Sequence, residues 1–412
     1  MSNTSVLATG SGSPRPGRRI DALDVARGIA ILGTLWTNIW IFTHPDGLLG
    51  MLLDPVVPGT GTGEVLAQLA IMALSQGKFL ALLTLMFGMG LAIQFDSAER
   101  RGIRWPGGYL WRAFLLLVDG VINYVLIAEF DVLMGYAVTG AIVAWLLLTR
   151  PRTQRALIIV FGALHALVIT LVVVVVALTS GGEAASVPVG TTPYAHGSFL
   201  DLVAFRLDNL ALFRAEPILI GFLTLAMFLL GAALHRAAVF APESGRLRKR
   251  LMIVGAIALP VDLVLGTVGG AAGMLAERYL AAPLVALGLL GLIAEWCVRQ
   301  GTDGWVARRL REVGRTALTC YLLQNLVAGA LFYGWGLGLA GDLVAWRLPV
   351  TMAGYVVVAA VVMVFAHLWL RRFRLGPVEW LWKQGARIVP DRPRAAPDHR
   401  PVVKAESGGV RG

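Results

Sequence analysis

Apolar residues run through this chain in long blocks, each broken by a short polar stretch. Crossing the hydrocarbon core of a bilayer takes about twenty predominantly apolar residues in a helix, and about ten blocks approach that length. They cover 21–43, 78–95, 110–128, a fourth ending at Thr149, 156–178, 217–234, 251–270, 279–298, 316–335 and 348–370. A shorter apolar stretch, 64–75, is broken at Gln76-Gly77-Lys78 and predicts a re-entrant or interfacial helix. Backbone polar groups in lipid must be satisfied within the segment, which favours helices. The expected fold class is all-α: a polytopic integral membrane helical bundle of about ten transmembrane helices plus that extra helix.

The polar stretches between blocks alternate in charge. Arg100, Arg101, Arg104 and Arg112 follow the second span, Arg150, Arg152 and Arg155 the fourth, and Arg236, Arg246, Arg248, Lys249 and Arg250 the sixth. A basic stretch from Arg299 to Arg315 precedes the ninth span, and Arg371, Arg372 and Arg374 stop the tenth. The intervening loops hold only scattered Arg206, Arg214, Arg278 and Arg347. An arginine bias of this kind sets orientation and predicts both termini on the cytoplasmic side of a bacterial inner membrane. The chain then divides into a disordered tail over 1–19, an N-terminal transmembrane region over 20–178 and an extracytoplasmic loop over 179–216. A C-terminal transmembrane domain over 217–386 and a disordered tail over 387–412 follow. No signal peptide is expected, because the first apolar run is long, carries charge and lacks a small-residue cleavage site. The loop over 179–216 holds an amphipathic piece, 199–213, that either covers a cavity or lies on the bilayer surface, the surface being the expected place.

Composition agrees with that pattern. Hydrophobic residues make up 57% and charged residues 15%, with a mean hydropathy of +0.72. The net charge of +11 would suggest nucleic acid in a soluble chain, but here it sits in short loops, so the expected partner is the lipid bilayer and not nucleic acid. Cys297 and Cys320 fall at or within spans, have no metal-ligand spacing and read as packing residues. No metal is expected, and the oligomeric state is not readable.

Ionisable groups inside a bundle usually face its interior and pair. Asp24 and Arg27 stand three apart on the first span, close enough to pair on one helix face. Asn38 lies about three turns beyond Arg27, at 3.6 residues per turn, and returns to that face. Either Arg27 sits at headgroup depth with Asp24 neutralising it, or the stripe faces a cavity near the cytoplasmic surface. Lys78 is a functional cation at the outer rim or reaches the headgroups. Gly88 and Gly90 allow close helix contact. Asp119 and Asn123 are one turn apart, Asp262 is mid-span beside Pro260, and His165 reads as a hydrogen-bonded packing residue. Tyr321, Gln324 and Asn325 form a polar stripe, either interhelical glue or a substrate path. Glu379 is placed to pair with Arg315.

Three stretches together resemble one family. They are Leu-Asp-Val-Ala-Arg-Gly-Ile-Ala-Ile-Leu-Gly over 23–33, Gly77-Lys78-Phe79 leading to Leu85-Met86-Phe87-Gly88-Met89-Gly90, and a C-terminal pair of blocks. That pair is Val-Gly-Arg-Thr-Ala-Leu-Thr-Cys-Tyr-Leu-Leu-Gln-Asn over 313–325 and Leu-Gly-Pro-Val-Glu-Trp-Leu-Trp over 375–382. The turn Phe130-Asp131-Val132-Leu133 with Tyr136-Ala137 also fits. The chain resembles the YeiB-like membrane proteins, whose C-terminal half is the domain-of-unknown-function family 418. The first span is more distantly similar to membrane acyltransferases such as heparan-glucosaminide N-acetyltransferase and the bacterial sugar O-acetylating enzymes. Where many relatives resemble one another in a Gly-x-x-His on the third span, this chain has Gly120-Val121-Ile122-Asn123.

That second resemblance implies an acyl group, most simply acetyl, moving from cytoplasmic acyl-CoA as co-substrate to an extracytoplasmic glycan or lipid-linked acceptor. Such chemistry needs a general base, oxyanion donors and cations for the CoA phosphates. It implies His44 as base and Asn38 as orienting or oxyanion donor. Asp24, Arg27, Lys78, Asp131, Tyr136, Arg315, Tyr321, Gln324 and Asn325 stand as the substrate- and cofactor-binding set. The alternatives are a transporter or exporter of a small or lipidic solute, motivated by Asp119, Asp262 and the Gln324–Asn325 pair, and a non-catalytic envelope protein of the same fold.

Overall fold

The computed structural model describes residues 16–56, 61–179 and 192–393, with side chains from residue 21 onward. Residues 1–15 and 394–412 of the tails expected over 1–19 and 387–412, and 57–60 and 180–191 of two loops expected to face outward, lie outside the described residues. The chain is helical throughout the rest, apart from turns and an isolated bridge between Ile103 and Pro393. In order the helices are α1 (Pro16–Phe42), α2 (Gly47–Leu53), α3 (Thr62–Ala73), α4 (Lys78–Arg100), α5 (Gly107–Leu126) and α6 (Leu133–Leu146). Next come α7 (Pro151–Thr179), α8 (Phe199–Asp208), α9 (Leu210–Leu219), α10 (Gly221–Arg236), α11 (Gly245–Val268) and α12 (Gly270–Ala276). The remainder are α13 (Ala282–Gln300), α14 (Trp305–Arg315), α15 (Ala317–Phe332), α16 (Leu339–Asp342), α17 (Arg347–Arg372) and α18 (Pro377–Ala386). A π-helical turn, Glu277–Ala281, joins α12 to α13.

Among the described residues seven stretches are long and apolar enough to cross a bilayer, or eight when α9 and α10, bent by 45°, count as one span. This is a multi-pass, all-helical membrane protein. The other two expected spans are α6 and α15, only 14 and 16 residues long. Polar groups stop both short: Asp131 Oδ2 accepts the Met134 N–H at the start of α6, and the backbone breaks at Thr316 before α15. Further boundaries differ from expectation. Helix α1 begins at Pro16, inside the stretch expected to be a disordered tail. At the other end, 387–393 is held rather than free: Arg104 N–H donates to the Arg392 carbonyl, and Asp391 pairs with Arg112 at 3.3 Å. The basic stretch before α15 contains α14, whose Ala307, Val313 and Gly314 are buried while its arginines face outward or pair.

Helix α1 is the centre. Val25, Ala26, Ala30, Leu35, Ile39 and Phe42 are all inaccessible, so this helix is enclosed nearly all round, against α4, α13, α14, α15 and α17. Lipid is as apolar as leucine, so these helices associate by close packing and not by the hydrophobic effect. That requirement explains Gly28 and Gly314: a Cβ on Gly28 would lie 2.0 Å from the Leu310 carbonyl oxygen, and one on Gly314 1.8 Å from that of Asp24. The expected close contact at Gly88 is real, its backbone lying against Phe228 of α10. Gly90 does something different; the space left by its missing side chain is where the Arg27 guanidinium lies, 3.1 Å from a built Cβ.

Candidate functional site

Two cavities open along one face of α1. Arg27 and Ile31 line the first, and Thr34, Thr37, Asn38 and Ile41 line the second. The steps of three and four residues keep these positions on one stripe, and at 1.5 Å rise per residue the stripe is about 20 Å long. The polar face predicted from Arg27 and Asn38 therefore exists and faces open space.

The first cavity is about 330 Å³, within the size range of small-ligand sites. It lies at the arginine-rich end, where Arg27, Arg112 and Arg315 converge on it. Its deeper wall is apolar, from Leu83, Met86 and Phe87 of α4 and Leu116 of α5, and α18 contributes Glu379 and Trp382. Asp24 pairs with Arg27 at 3.2 Å but does not itself line the cavity. Glu379 does not take Arg315. It accepts the backbone N–H groups of Leu318 and Thr319 at 2.8 and 3.1 Å and the Thr319 hydroxyl at 2.5 Å, which caps the start of α15 and complements its dipole. Arg315 donates to the Arg374 carbonyl at 3.2 Å and its side chain remains exposed. The two C-terminal blocks are tied together by that helix cap.

The second cavity is small, about 60 Å³, with polar side chains set among apolar ones such as Ile41, Leu80 and Phe213. Asn38, Asp131, Tyr136, Arg214, Glu216 and Arg278 line it. Asp131 is buried, with Oδ1 accepting the Asn123 amide at 2.8 Å. Tyr136 shares a hydrogen bond with Thr84 at 2.6 Å. Tyr321 lines both cavities. Its hydroxyl makes no hydrogen bond of ordinary geometry, with the Val132 backbone and the Asn325 amide as neighbours.

Other candidates lie elsewhere. His44 lines neither cavity. The Asp46 N–H donates to its Nδ1 at 3.0 Å, leaving Nε2 to donate to the Asp54 carbonyl at 3.1 Å. Burial, with the Arg347 guanidinium nearby, pushes its pKa down to about 4. The imidazole thus pins the turn between α1 and α2, with neither nitrogen left to take a substrate proton. Lys78 is neither at a rim nor among headgroups; it is 3% exposed and pairs with Asp262 and Glu277. Gln324 and Asn325 are inaccessible and line neither cavity; Gln324 Nε2 reaches Thr34 Oγ1 at 3.5 Å. His165 is a packing residue as expected, bonded to the Tyr279 carbonyl at 2.9 Å. Among the described residues no three His, Cys, Asp or Glu side chains converge as metal ligands.

The scattered outward arginines carry the largest surprise. Arg206, on the amphipathic segment, is buried, pairs with Glu129 at 3.2 Å and donates to the carbonyls of Val125 and Ile127. Arg214 donates to the carbonyls of Glu129 and Asp131 and lies over the Tyr124 ring. Arg278 pairs with Glu216 at 2.7 Å. Arg347 donates to the carbonyls of Pro55 and Trp40 at 2.7 and 3.1 Å. Helices α8 and α9 therefore dock on the bundle through Arg206 and Arg214, leave Leu200, Leu207, Leu210 and Leu212 exposed, and supply Phe213 and Arg214 to the wall of the second cavity. Their rarity was the available signal: a basic residue on the outward side, excluded there by the orientation rule, needs a partner inside.

Comparison with known proteins agrees in sequence and length. A family described as "Protein of unknown function (DUF418)" matches residues 234–388. "Uncharacterized protein YxaH" of Bacillus subtilis (strain 168) is 31% identical over 395 residues, covering 90% of this chain and 94% of that protein. "Uncharacterized protein YeiB" of Escherichia coli (strain K12) is 31% identical over 389 residues, 88% and 94% of the two chains. A more distant relative from Bacillus acidopullulyticus, "Uncharacterized 39.9 kDa protein in amylase 3'region", is 22% identical over 379 residues, 89% and 93% of the two. With identity at this level over nearly the whole length of an all-helical membrane bundle, the chain belongs to the YeiB-like family of DUF418 proteins.

Proposed function

We propose that this protein is a membrane acyltransferase that takes an acyl group, most simply acetyl, from acyl-CoA and passes it to a glycan or lipid-linked acceptor on the other side. The observation that carries the reading is the pair of cavities on one face of α1, one lined by Arg27, Arg112 and Arg315, the other by Asn38 and Asp131, with Tyr321 in both walls. The phosphates of CoA suit Arg27, Arg112 and Arg315, since guanidinium groups hold phosphate bidentately. The pantetheine arm suits the apolar wall of Leu83, Met86 and Phe87, which leads the thioester towards Tyr321. The acceptor hydroxyl or amine then enters by the second cavity. Its proton goes to Asp131, which replaces His44 as the base in this reading, while its oxygen or nitrogen bonds to the thioester carbon. The Asn38 amide donates to the resulting oxyanion. The carbon–sulfur bond breaks as the carbonyl re-forms, and the CoA thiolate leaves and is protonated. The arginine-rich end is cytoplasmic by the orientation rule, in an inner membrane with both termini inside, which puts donor and acceptor on the sides this chemistry requires.

The test is calorimetric binding of acetyl-CoA to the purified protein. Arg27→Ala and Arg315→Ala should each weaken binding about tenfold, the equivalent of 1.4 kcal/mol. Asp131→Asn should keep binding and lose transfer to acceptor. A folded sample that binds no acyl-CoA species overturns the reading. Two cavities along one helix face, with Tyr321 in both walls, also suit a transporter, and solute flux in proteoliposomes, abolished by Asp262→Ala, would then be the measurement to make.

A further inference from the structure

Beside the Arg278–Glu216 pair of the second cavity, three further ionisable side chains meet inside the bundle. Lys78, at the start of α4, puts Nζ 2.5 Å from Asp262 Oδ2 of α11 and 3.2 Å from Glu277 Oε1 of the π-helical turn. All three are buried: 3%, 0% and 1% exposed. The ammonium also donates to the Ala73 carbonyl at 2.5 Å. An ammonium has three protons, and the carbonyls of Ala73 and Gln76 and Glu277 Oε1 accept them. Asp262 faces the ammonium as an ion pair, and neither of its oxygens has a hydrogen-bond partner of ordinary geometry.

The second positive charge beside the site is engaged elsewhere. Arg278, next to Glu277 in the chain, donates to Glu216 Oε1 at 2.7 and 3.2 Å and to the Gln76 side chain at 2.8 Å. Tyr279 donates to the same Glu216 oxygen at 2.8 Å, and His165 of α7 is bonded to the Tyr279 carbonyl. The facing groups are therefore Lys78 from α4, Asp262 from α11, Glu277, Arg278 and Tyr279 from the π turn, Glu216 from α9 and His165 from α7. With both carboxyls ionised, Lys78, Asp262 and Glu277 carry one more negative than positive charge, while Arg278 and Arg214 both face Glu216. An uncompensated charge within a buried site costs several kcal/mol, and in a membrane interior acidic residues so held are the usual elements of proton relays. Of two carboxyl groups that share one site, one holds its proton more tightly than a free carboxyl does.

We propose that Lys78, Asp262 and Glu277 form a binding site for one exchangeable proton, shared by the two carboxyl groups and balanced by the ammonium. A sodium ion fits the geometry poorly, because the ammonium already occupies the point between the carboxylates. Gly266 supplies room: a Cβ there would lie 2.3 Å from Glu277 Oε2. The site adjoins the second cavity, whose wall includes Gly77 and Arg278, the chain neighbours of Lys78 and Glu277. Any ligand that draws Arg278 away from Glu216 changes the charge facing Glu277, so occupancy of that cavity and of the proton site are linked. This inference stands independently of the acyltransferase reading.

Infrared spectroscopy of the full-length protein in lipid nanodiscs tests it. The protein should show at neutral pH the carbonyl stretch of a protonated carboxylic acid that shifts in deuterium oxide and fades as the pH is raised. Because the proton belongs to the pair, Glu277→Gln and Asp262→Asn should each remove one full carboxyl equivalent of that band. Should Asp262→Asn fail to yield folded protein, Glu277→Gln alone decides. A band unchanged by Glu277→Gln overturns the proposal. So does a wild-type protein without the band whose thermal stability rises with sodium and loses that response in Glu277→Gln.

Discussion

Replacing Arg206 with alanine should be one of the most damaging single changes in this protein. The side chain is 1% exposed, and its partner Glu129 is inaccessible. Its guanidinium pairs with Glu129 Oε2 at 3.2 Å through Nε and donates to the Val125 and Ile127 carbonyls at 3.2 and 3.0 Å. Truncation strands a buried carboxylate and frees two carbonyl oxygens at the end of α5. Breaking a buried pair from one side costs about 3–5 kcal/mol, and that is the expected loss. Removing the stranded charge should recover much of it, so Arg206→Met with Glu129→Gln should be at least about 1.5 kcal/mol more stable than Arg206→Ala, since a neutral isostere relieves the desolvated carboxylate. Arg299→Ala is the control: its pair with Glu295 is made by a side chain 75% exposed, and exposed pairs contribute about 0–1 kcal/mol. Unfolding in mixed micelles, followed by circular dichroism and tryptophan fluorescence, gives the three numbers. A loss below about 1 kcal/mol for Arg206→Ala, or a double variant no better than the single, would refute a buried charge pair holding α8 to the bundle.

Two further outcomes follow from the geometry. His44 titrates at about 4 when folded and near 6.5 when unfolded, so the unfolded state binds the proton first; stability should fall as the pH drops from 6.5 towards 4, by about 3 kcal/mol in full. His44→Gln should flatten that dependence in unfolding scans between pH 7 and 4, and curves that stay parallel would exclude His44 as the cause. Gly314→Val should abolish folded yield in size-exclusion chromatography, since even its Cβ meets the Asp24 carbonyl at 1.8 Å, whereas Gly162→Ala, with open space around it, should be tolerated; equal yields would mean that α1 and α14 do not need their close approach.

Some of the site was legible as spacing. Asp24 with Arg27, and Arg27 with Asn38, are helix-face relations that depend only on the 3.6-residue turn, and they hold. The capping role of Glu379 was half legible: the two C-terminal blocks do meet, but which donors the carboxylate takes depends on where α15 begins. Helix α14 could have been read from Val306, Ala307, Leu310, Val313 and Gly314 at steps of one, three and four between arginines; its charge hid that periodicity. The standing of His44 was not legible at all, because a histidine's chemistry is decided by what its two nitrogens touch.

The sequence by itself determined the all-helical membrane class, the alternation of basic and neutral loops and the family, since each rests on runs of residues and on motifs read locally. It could not decide which polar residues share a site. Lys78, Asp262 and Glu277 are separated by up to 199 positions, and Arg206 meets Glu129 across 77. Only the packing of helices brings such groups within ion-pair distance, and only burial, by removing water as the competing partner, makes their charge count matter.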